Sequence, residues 1–213
     1  MPAFARPIWS LLPLIGTLLF VGLAGWATTR YPGGSAPHPT TIGFDWLNNY
    51  WCDLLAERAA NGQPNPASPV ALTAMGVLCL SLLTLWLTVP RLFPARRAGG
   101  QVRWWVQYPG ITAMLVAPFI ASAYHDAAIN LASMLIVPPL LFTMMGLYRT
   151  RLRRLFWTGM LCSALMMLNQ FIYQTHWQLN ALPIVQKITF AAVLVWIGGI
   201  SLRVYRAGRT IKP

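Results

Sequence analysis

Two histidines and three carboxylates are the residues of this chain best suited to chemistry, because these groups bind divalent metals and exchange protons. Ser122, His125 and Asp126 are spaced i, i+3, i+4, so in a helix they share one face. If a helix instead begins at Asp126, then Asp126, Asn130 and Ser133 form a polar stripe at i, i+4, i+7. Either arrangement places a histidine–carboxylate pair at the end of an apolar helix.

Two other segments carry polar groups at helical spacing. Asn169, Tyr173 and His176 stand at i, i+4, i+7 near the end of a later apolar stretch. Asp45 and Asp53 lie on the polar side of a segment that precedes the second apolar stretch. All three segments fall on the same side of the predicted topology, so we expect their side chains to converge.

The convergence predicts an outward-facing polar cavity with two possible chemistries. One is a site for zinc or another divalent metal, with the candidate ligands His125, His176 and Asp126. The other is acid–base catalysis, with the candidates His125, Asp126, Asp45 and Asp53. Further candidates for the polar lining are Ser122, Asn130, Asn169, Tyr173 and Lys187. Because no His-Glu-x-x-His motif or cysteine pair is present, metal ligands would have to come from different helices.

Each of these polar residues also has a structural interpretation. Asp126 can cap a helix N-terminus and orient His125 by a hydrogen bond. His176 is an ordinary residue for a membrane boundary, and Asn169 can hydrogen-bond to a neighbouring helix. Lys187 can extend its amine towards the interface or pair with a carboxylate. The sequence leaves these alternatives open.

The elements that must position these residues are membrane helices. Hydrophobic residues make up 56% of the chain and charged residues only 9%, against about 25% charged in soluble domains. A spanning helix needs roughly 20 mainly apolar residues. Six stretches meet that length and predict an all-α bundle of six transmembrane helices in a single domain, 1–213; they are 8–27, 70–89, 105–124, 128–148, 155–173 and 183–204.

Basic residues predict the orientation of these helices. Thirteen of the sixteen Lys and Arg fall before the first stretch, in alternate connections or after the last stretch: Arg6, Arg91, Arg96, Arg97, Arg103, Arg149, Arg151, Arg153, Arg154, Arg203, Arg206, Arg209 and Lys212. Lys and Arg near helix ends stay in the cytoplasm. We therefore expect a plasma-membrane protein (bacterial inner membrane) with both termini cytoplasmic. The four clusters fit anionic lipid headgroups and leave no basic face for nucleic acid.

The first outer segment, 28–68, is the only long connection. A loop composition at its start is followed by 43–58, where apolar and polar residues recur at helical spacing. Its apolar members are Phe44, Leu47, Trp51, Leu54 and Leu55; its polar members are Asp45, Asn49 and Asp53. The pattern predicts an amphipathic helix that lies on the outer surface or covers the end of the bundle.

Two resemblances bear on the chain. The Asn65-Pro66-Ala67-Ser68-Pro69 segment, Gln186-Lys187-Ile188 and the histidine at the outer end of the third stretch resemble an uncharacterised family of bacterial six-helix membrane proteins. That resemblance covers most of the chain and implies the six-helix fold without an activity.

The other resemblance, to the alkaline ceramidase-like membrane hydrolases, is remote. Asp45-Trp46 followed by Asn49-Tyr50, and Ser122 before His125, are similar to elements of that family, with spacings one residue short. The His-x-x-x-His pair that completes the zinc site of those hydrolases is absent from this sequence.

Two classes of function follow from the sequence. The first is a membrane protein without enzymatic activity: a binder of small ligands or lipids, a sensor, or a stabilising subunit of a complex. The alternative is a membrane-embedded hydrolase or lipid-modifying enzyme, with or without a metal, at the outer leaflet. A transporter ranks below both, because no ionisable residue lies near the middle of a span, where coupling ions bind.

Overall fold

Six α-helices form the protein, and no β-strand occurs among the residues described. The computed structural model describes residues 7–93 and 95–210, with the side chains of residues 8–93 and 102–208. The helices are α1 (Leu12–Arg30), α2 (Ser68–Thr88), α3 (Ala95–Val116), α4 (His125–Arg149), α5 (Arg153–Thr175) and α6 (Leu182–Thr210). The all-α prediction is confirmed. Arg6 and Lys212, and the side chains of Arg96, Arg97 and Arg209, lie outside the described residues.

Five of the helices are long and apolar enough to cross a membrane: α1, α2, α4, α5 and α6, each with adjoining short turns. Large apolar side chains on all five are more than 60% exposed, as expected of a surface that faces lipid: Leu18, Leu80, Met134, Met167 and Val195. Length and composition thus support a membrane protein.

The third predicted span, 105–124, differs from the observed helix. Helix α3 begins ten residues earlier, at Ala95, and ends at Val116. A 3₁₀ helix, Ala117–Ala121, replaces its predicted end, because Pro118 has no N–H to donate to the carbonyl of Met114. At its start, the Ala and Arg residues of the basic connection are good helix formers.

The helices pack as a closed ring. Helix α1 packs most extensively against α2, α3 against α4, and α5 against α6, while α6 returns to α1. One end of the ring is filled by a core that includes Leu85, Trp86, Leu147, Ile197 and Ile200. We call this the far end. The other, the cap end, carries the long connection between α1 and α2.

That connection, which we call the cap segment (residues 31–67), is not the amphipathic helix predicted over 43–58. Its only helical element among the described residues is a 3₁₀ helix, Trp51–Leu54. The polar side chains that suggested a helix instead bind backbone N–H groups: Asp45 Oδ1 accepts from Leu47, and Asp53 Oδ2 from Tyr50. Such local hydrogen bonds compete with helix formation.

Four of the five apolar residues in the predicted pattern are nevertheless buried or partly buried, whereas Leu47 is 63% exposed. Leu54 is 1% exposed and packs with Tyr31, Ala59 and residues at the ends of α1 and α2, with Phe44, Trp51 and Leu55 partly buried beside it. The cap segment therefore has a small core of its own, continuous with the bundle.

Candidate functional site

A cavity of about 410 Å³ lies between the helices at the cap end. Each helix contributes to its lining, for example Phe20, Ala74, Met114, Ile129, Met166 and Phe190. Its few polar lining residues are Cys52, His125, Ser133 and Gln186. Whereas the sequence predicted a polar cavity, the largest space of the site is mainly apolar.

A smaller cavity of about 220 Å³, with a larger share of polar residues in its lining, adjoins it. Helices α4, α5 and α6 line it, and its polar lining consists of Ser133, Asn169, Gln170, Tyr173, Gln186 and Thr189. The two cavities share one wall, formed by Ile129, Ser133, Met166, Gln186 and Phe190. A mainly apolar space thus adjoins one with a larger share of polar residues, as the two parts of an amphiphilic molecule require.

The cap segment covers the larger cavity. Trp51, Cys52, Leu54 and Leu55 belong to its lining. The backbone N–H of Trp51 donates to Gln186 Oε1 at 3.0 Å, which joins the cap segment to α6. Its indole ring lies 6.4 Å from the ring of Phe190, centre to centre.

Lys187, the residue after Gln186, makes a second contact between α6 and the cap segment. Lys187 Nζ donates to the carbonyl of Asn49 and, at 3.1 Å, to that of Pro183 in its own helix. The sequence left open a charge pair between Lys187 and a carboxylate, but Lys187 forms no ion pair with Asp53 or Asp126. Lys187 holds the cap segment instead.

Asn49 organises the interior of the cap segment. Its side chain is fully buried, and its Nδ2 donates to Gly34 O and to Asp53 Oδ2, both at 2.8 Å. Its Oδ1 accepts from the N–H of Asp45 at 2.8 Å. The backbone of Asp45 and the carboxylate of Asp53 belong to this network, and neither of these predicted catalytic residues lines either cavity.

Two ionisable groups of the cap segment have shifted pKa values. The amide of Asn48, and then the N–H groups of Leu47 and Asn48, lower the pKa of Asp45 below its ordinary value, so this turn favours the ionised form. Burial, with the nearby charge of Asp53, raises the pKa of Cys52 to about 11. Cys52 is therefore a protonated, weakly nucleophilic thiol at neutral pH.

His125 and Asp126 come together as the sequence predicted. They open α4, and His125 Nδ1 lies 2.9 Å from Asp126 Oδ1. Tyr173 of α5 donates to the same carboxylate oxygen at 2.6 Å. His125 also lines the larger cavity, so a histidine oriented by a carboxylate faces the apolar space.

A second polar contact joins α4 to α5 one turn further along. Asn130 Oδ1 accepts from Gln174 Nε2 at 2.6 Å and from Gln170 Nε2 at 3.2 Å. Asn169 binds α6, donating to Thr189 Oγ1 and, within α5, to Leu165 O at 2.9 Å. The interpretation of Asn169 as a contact between helices agrees with this geometry.

The predicted metal ligands His125, Asp126 and His176 do not form a metal site. Among the described residues, no three His, Cys, Asp or Glu side chains lie close enough together to hold a metal ion. His176 is exposed and ends α5 in the left-handed conformation, with φ of 56°. Its exposed side chain belongs to no such group.

Ser122, the remaining predicted site residue, has a structural role. Its hydroxyl donates to the carbonyl of Phe119 at 2.6 Å and accepts from the N–H of Tyr124 at 3.2 Å. These contacts form the turn that leads into α4.

Most of the residues that line the cavities could not be identified from the sequence. Phe20, Ala74 and Phe190 are apolar residues on apolar helices, where cavity, core and lipid-facing positions look alike. Thr189 was missed as well, although Gln186 and Thr189 at i and i+3 form a detectable polar pair on α6.

No protein-family model, no curated protein and no solved structure matches this chain. The similarity of a few segments to uncharacterised six-helix proteins and to alkaline ceramidase-like hydrolases therefore stays a prediction.

Proposed function

We propose that this chain is a membrane protein that binds one amphiphilic molecule, lipid or lipid-like, at the cap end of its helix bundle. The observation that carries the proposal is the pair of adjoining cavities, one mainly apolar and one with a larger share of polar residues, with Ser133 and Gln186 in their common wall. The larger cavity would take the chain of the ligand, and the polar side chains of the smaller cavity would bind its head group.

The size of the cavities supports a single, small amphiphile. Ligand pockets have volumes of about 300–1,000 Å³, and the larger cavity lies at the lower end of that range. The closed core at the far end favours binding over transport, because Leu85, Trp86 and Ile200 are almost completely buried where a pathway would have to continue.

Native mass spectrometry of the full chain, released from its own membrane, tests the proposal. We expect about one bound amphiphile per chain. Ser133→Phe would fill the common wall and abolish retention, whereas Met134→Phe, at the next residue and 73% exposed, would leave it unchanged. Retention that is equal in both variants, or absent from the unmodified protein, would contradict the proposal.

A second candidate function, a hydrolase, is favoured by the contact between His125 and Asp126. A carboxylate that holds Nδ1–H leaves Nε2 free to accept a proton, which is the general-base arrangement of many hydrolases. His125 lines the cavity in which a substrate ester or amide would lie. Cleavage of a long-chain ester that is lost in His125→Ala, with binding retained, would establish this function; an inactive unmodified protein would exclude it for that substrate.

We further propose that the cap segment faces outward from a bacterial inner membrane and that the far end faces the cytoplasm. Arg91, Arg103, Arg149 and Arg203 lie at or near far-end helix termini, while the carboxylates belong to the cap segment or the start of α4. In this orientation the basic residues would contact anionic headgroups of the cytoplasmic leaflet.

A further inference from the structure

We infer that the ligand of the two cavities is an uncharged amphiphile with one alkyl or isoprenoid chain and a neutral head group, such as a hydroxyl, ester or amide. This inference rests on the proposed binding function and narrows its ligand to one chemical class. Fatty acids, lysophospholipids with a net charge and alkylamines are excluded by it.

The polar lining is made of neutral groups. Asn169, Gln170 and Gln186 contribute amides, and Tyr173 and Thr189 contribute hydroxyls. Of the described residues that line either cavity, none is Lys, Arg, Asp or Glu. An ion that loses part of its hydration in such a lining finds no counter-charge, whereas neutral amides and hydroxyls exchange hydrogen bonds with a neutral head group at little cost.

Two charged residues that neighbour lining residues, Asp126 and Lys187, have partners of their own. Asp126 Oδ1 contacts both Tyr173 and His125, so a protonated His125 would already have its counter-ion. Lys187 Nζ donates to two backbone carbonyls, one of them that of Asn49 in the cap segment. Neither Asp126 nor Lys187 lines either cavity, so a charged head group would find no counter-charge in the lining itself.

Gln186 is the residue that we assign to head-group selection. It lines both cavities, and its Oε1 accepts the N–H of Trp51. Gln186→Glu keeps an oxygen acceptor for Trp51, and so keeps the attachment of the cap segment, while it adds a negative charge to the common wall. The substitution therefore changes the charge of the site with little change in shape.

The test is a titration of the full chain in nanodiscs, followed by native mass spectrometry, with four probes that share one alkyl chain: the alcohol, the ionised carboxylate, the phosphate and the ammonium. We expect the alcohol to bind at least ~10-fold more tightly than each charged probe. The binding free energy lost by placing an unpaired charge within a membrane protein exceeds the free energy that corresponds to a ~10-fold change in affinity. In Gln186→Glu the ammonium should gain at least ~10-fold relative to the alcohol, by the same electrostatic argument. Gln63→Glu, on an exposed part of the cap segment, should leave both affinities unchanged.

The outcomes separate this inference from the proposed function. Binding of the carboxylate or the phosphate as tightly as the alcohol, or an unchanged preference in Gln186→Glu, would overturn the neutral-ligand inference and leave the binding function intact. If no probe binds, or if Ser133→Phe leaves the binding of every probe unchanged, the proposed binding function is wrong and the neutral-ligand inference is wrong with it.

Discussion

Asn49 stabilises the cap segment because both the NH₂ group and the oxygen of its side-chain amide form hydrogen bonds inside the protein. It donates to Gly34 and Asp53 and accepts from Asp45, all at 2.8 Å. Asn65, 5% exposed, acts similarly: its Nδ2 donates to Ala56 O at 2.8 Å, and its Oδ1 accepts from the N–H of Ala67. A loop with little regular secondary structure thus satisfies its buried backbone groups through two asparagines.

We predict that Asn49→Ala loosens the cap segment without unfolding the bundle. The substitution leaves buried donors and acceptors without partners, at a cost of about 1–3 kcal/mol. Hydrogen exchange in residues 31–67 should accelerate, while exchange in the far-end helices stays the same. Gln63→Ala, which removes an exposed side chain of the same segment, is the control. Equal exchange in the two variants would show that the Asn49 network does not hold the cap.

At the scale of elements, α1 and α2 are held close together by small residues. A Cβ added at Gly16 would lie 1.5 Å from Ser81 Oγ and 2.7 Å from Ser81 Cβ, so the helices are already in contact there. Small residues permit such close approach in membrane bundles, where packing rather than the hydrophobic effect joins helices. The same helix pair carries the cap segment between its ends.

We predict that Gly16→Ala destabilises the protein by about 1–3 kcal/mol, because the methyl group forces α1 away from α2. Gly22→Ala is the matched control in the same helix, where an added Cβ meets no atom within 4 Å. Thermal unfolding in detergent should give a lower midpoint for Gly16→Ala alone. A midpoint equal to that of Gly22→Ala would mean that the helices can separate freely at this position.

Helical elements were far more predictable than the cap segment. Five predicted spans overlap helices that meet the length and composition of a membrane span, because apolar runs of that length have few other stable forms in lipid. The cap segment was predicted as a helix because Phe44, Trp51 and Leu55 recur at helical spacing. Its polar residues bind backbone groups instead, a competition that periodicity does not detect.

For the whole molecule, the asymmetry between the two ends has an electrostatic counterpart. Three of the four carboxylates belong to the cap segment and the fourth opens α4 at the same end, whereas eight described arginines lie at or near far-end helix termini. These arginines are Arg91, Arg103, Arg149, Arg151, Arg153, Arg154, Arg203 and Arg206. This separation of charge predicts which end of the protein faces the cytoplasm, and labelling of single cysteines at each end can test that orientation.

We predict that the cap segment is accessible from outside the cell and the α4–α5 connection only from the cytoplasm. In a variant without Cys52, Cys79 and Cys162, Ile42→Cys, at a position 96% exposed, should react with an impermeant maleimide on intact cells. Arg153→Cys should react only after permeabilisation. The reverse labelling pattern would contradict the proposed orientation.

The sequence by itself determined the helical class, the approximate positions of most helices and the separation of charge, because each depends on local composition. It also placed His125 beside Asp126, which are neighbours in the chain. Only the tertiary structure decided that Ser133, Gln186 and Phe190 share a wall between two cavities, and that Asp53 contacts Asn49 and Tyr50 inside the cap segment. The physical reason is that a cavity is what remains when helices do not fill the space between them, and that space depends on how distant residues pack.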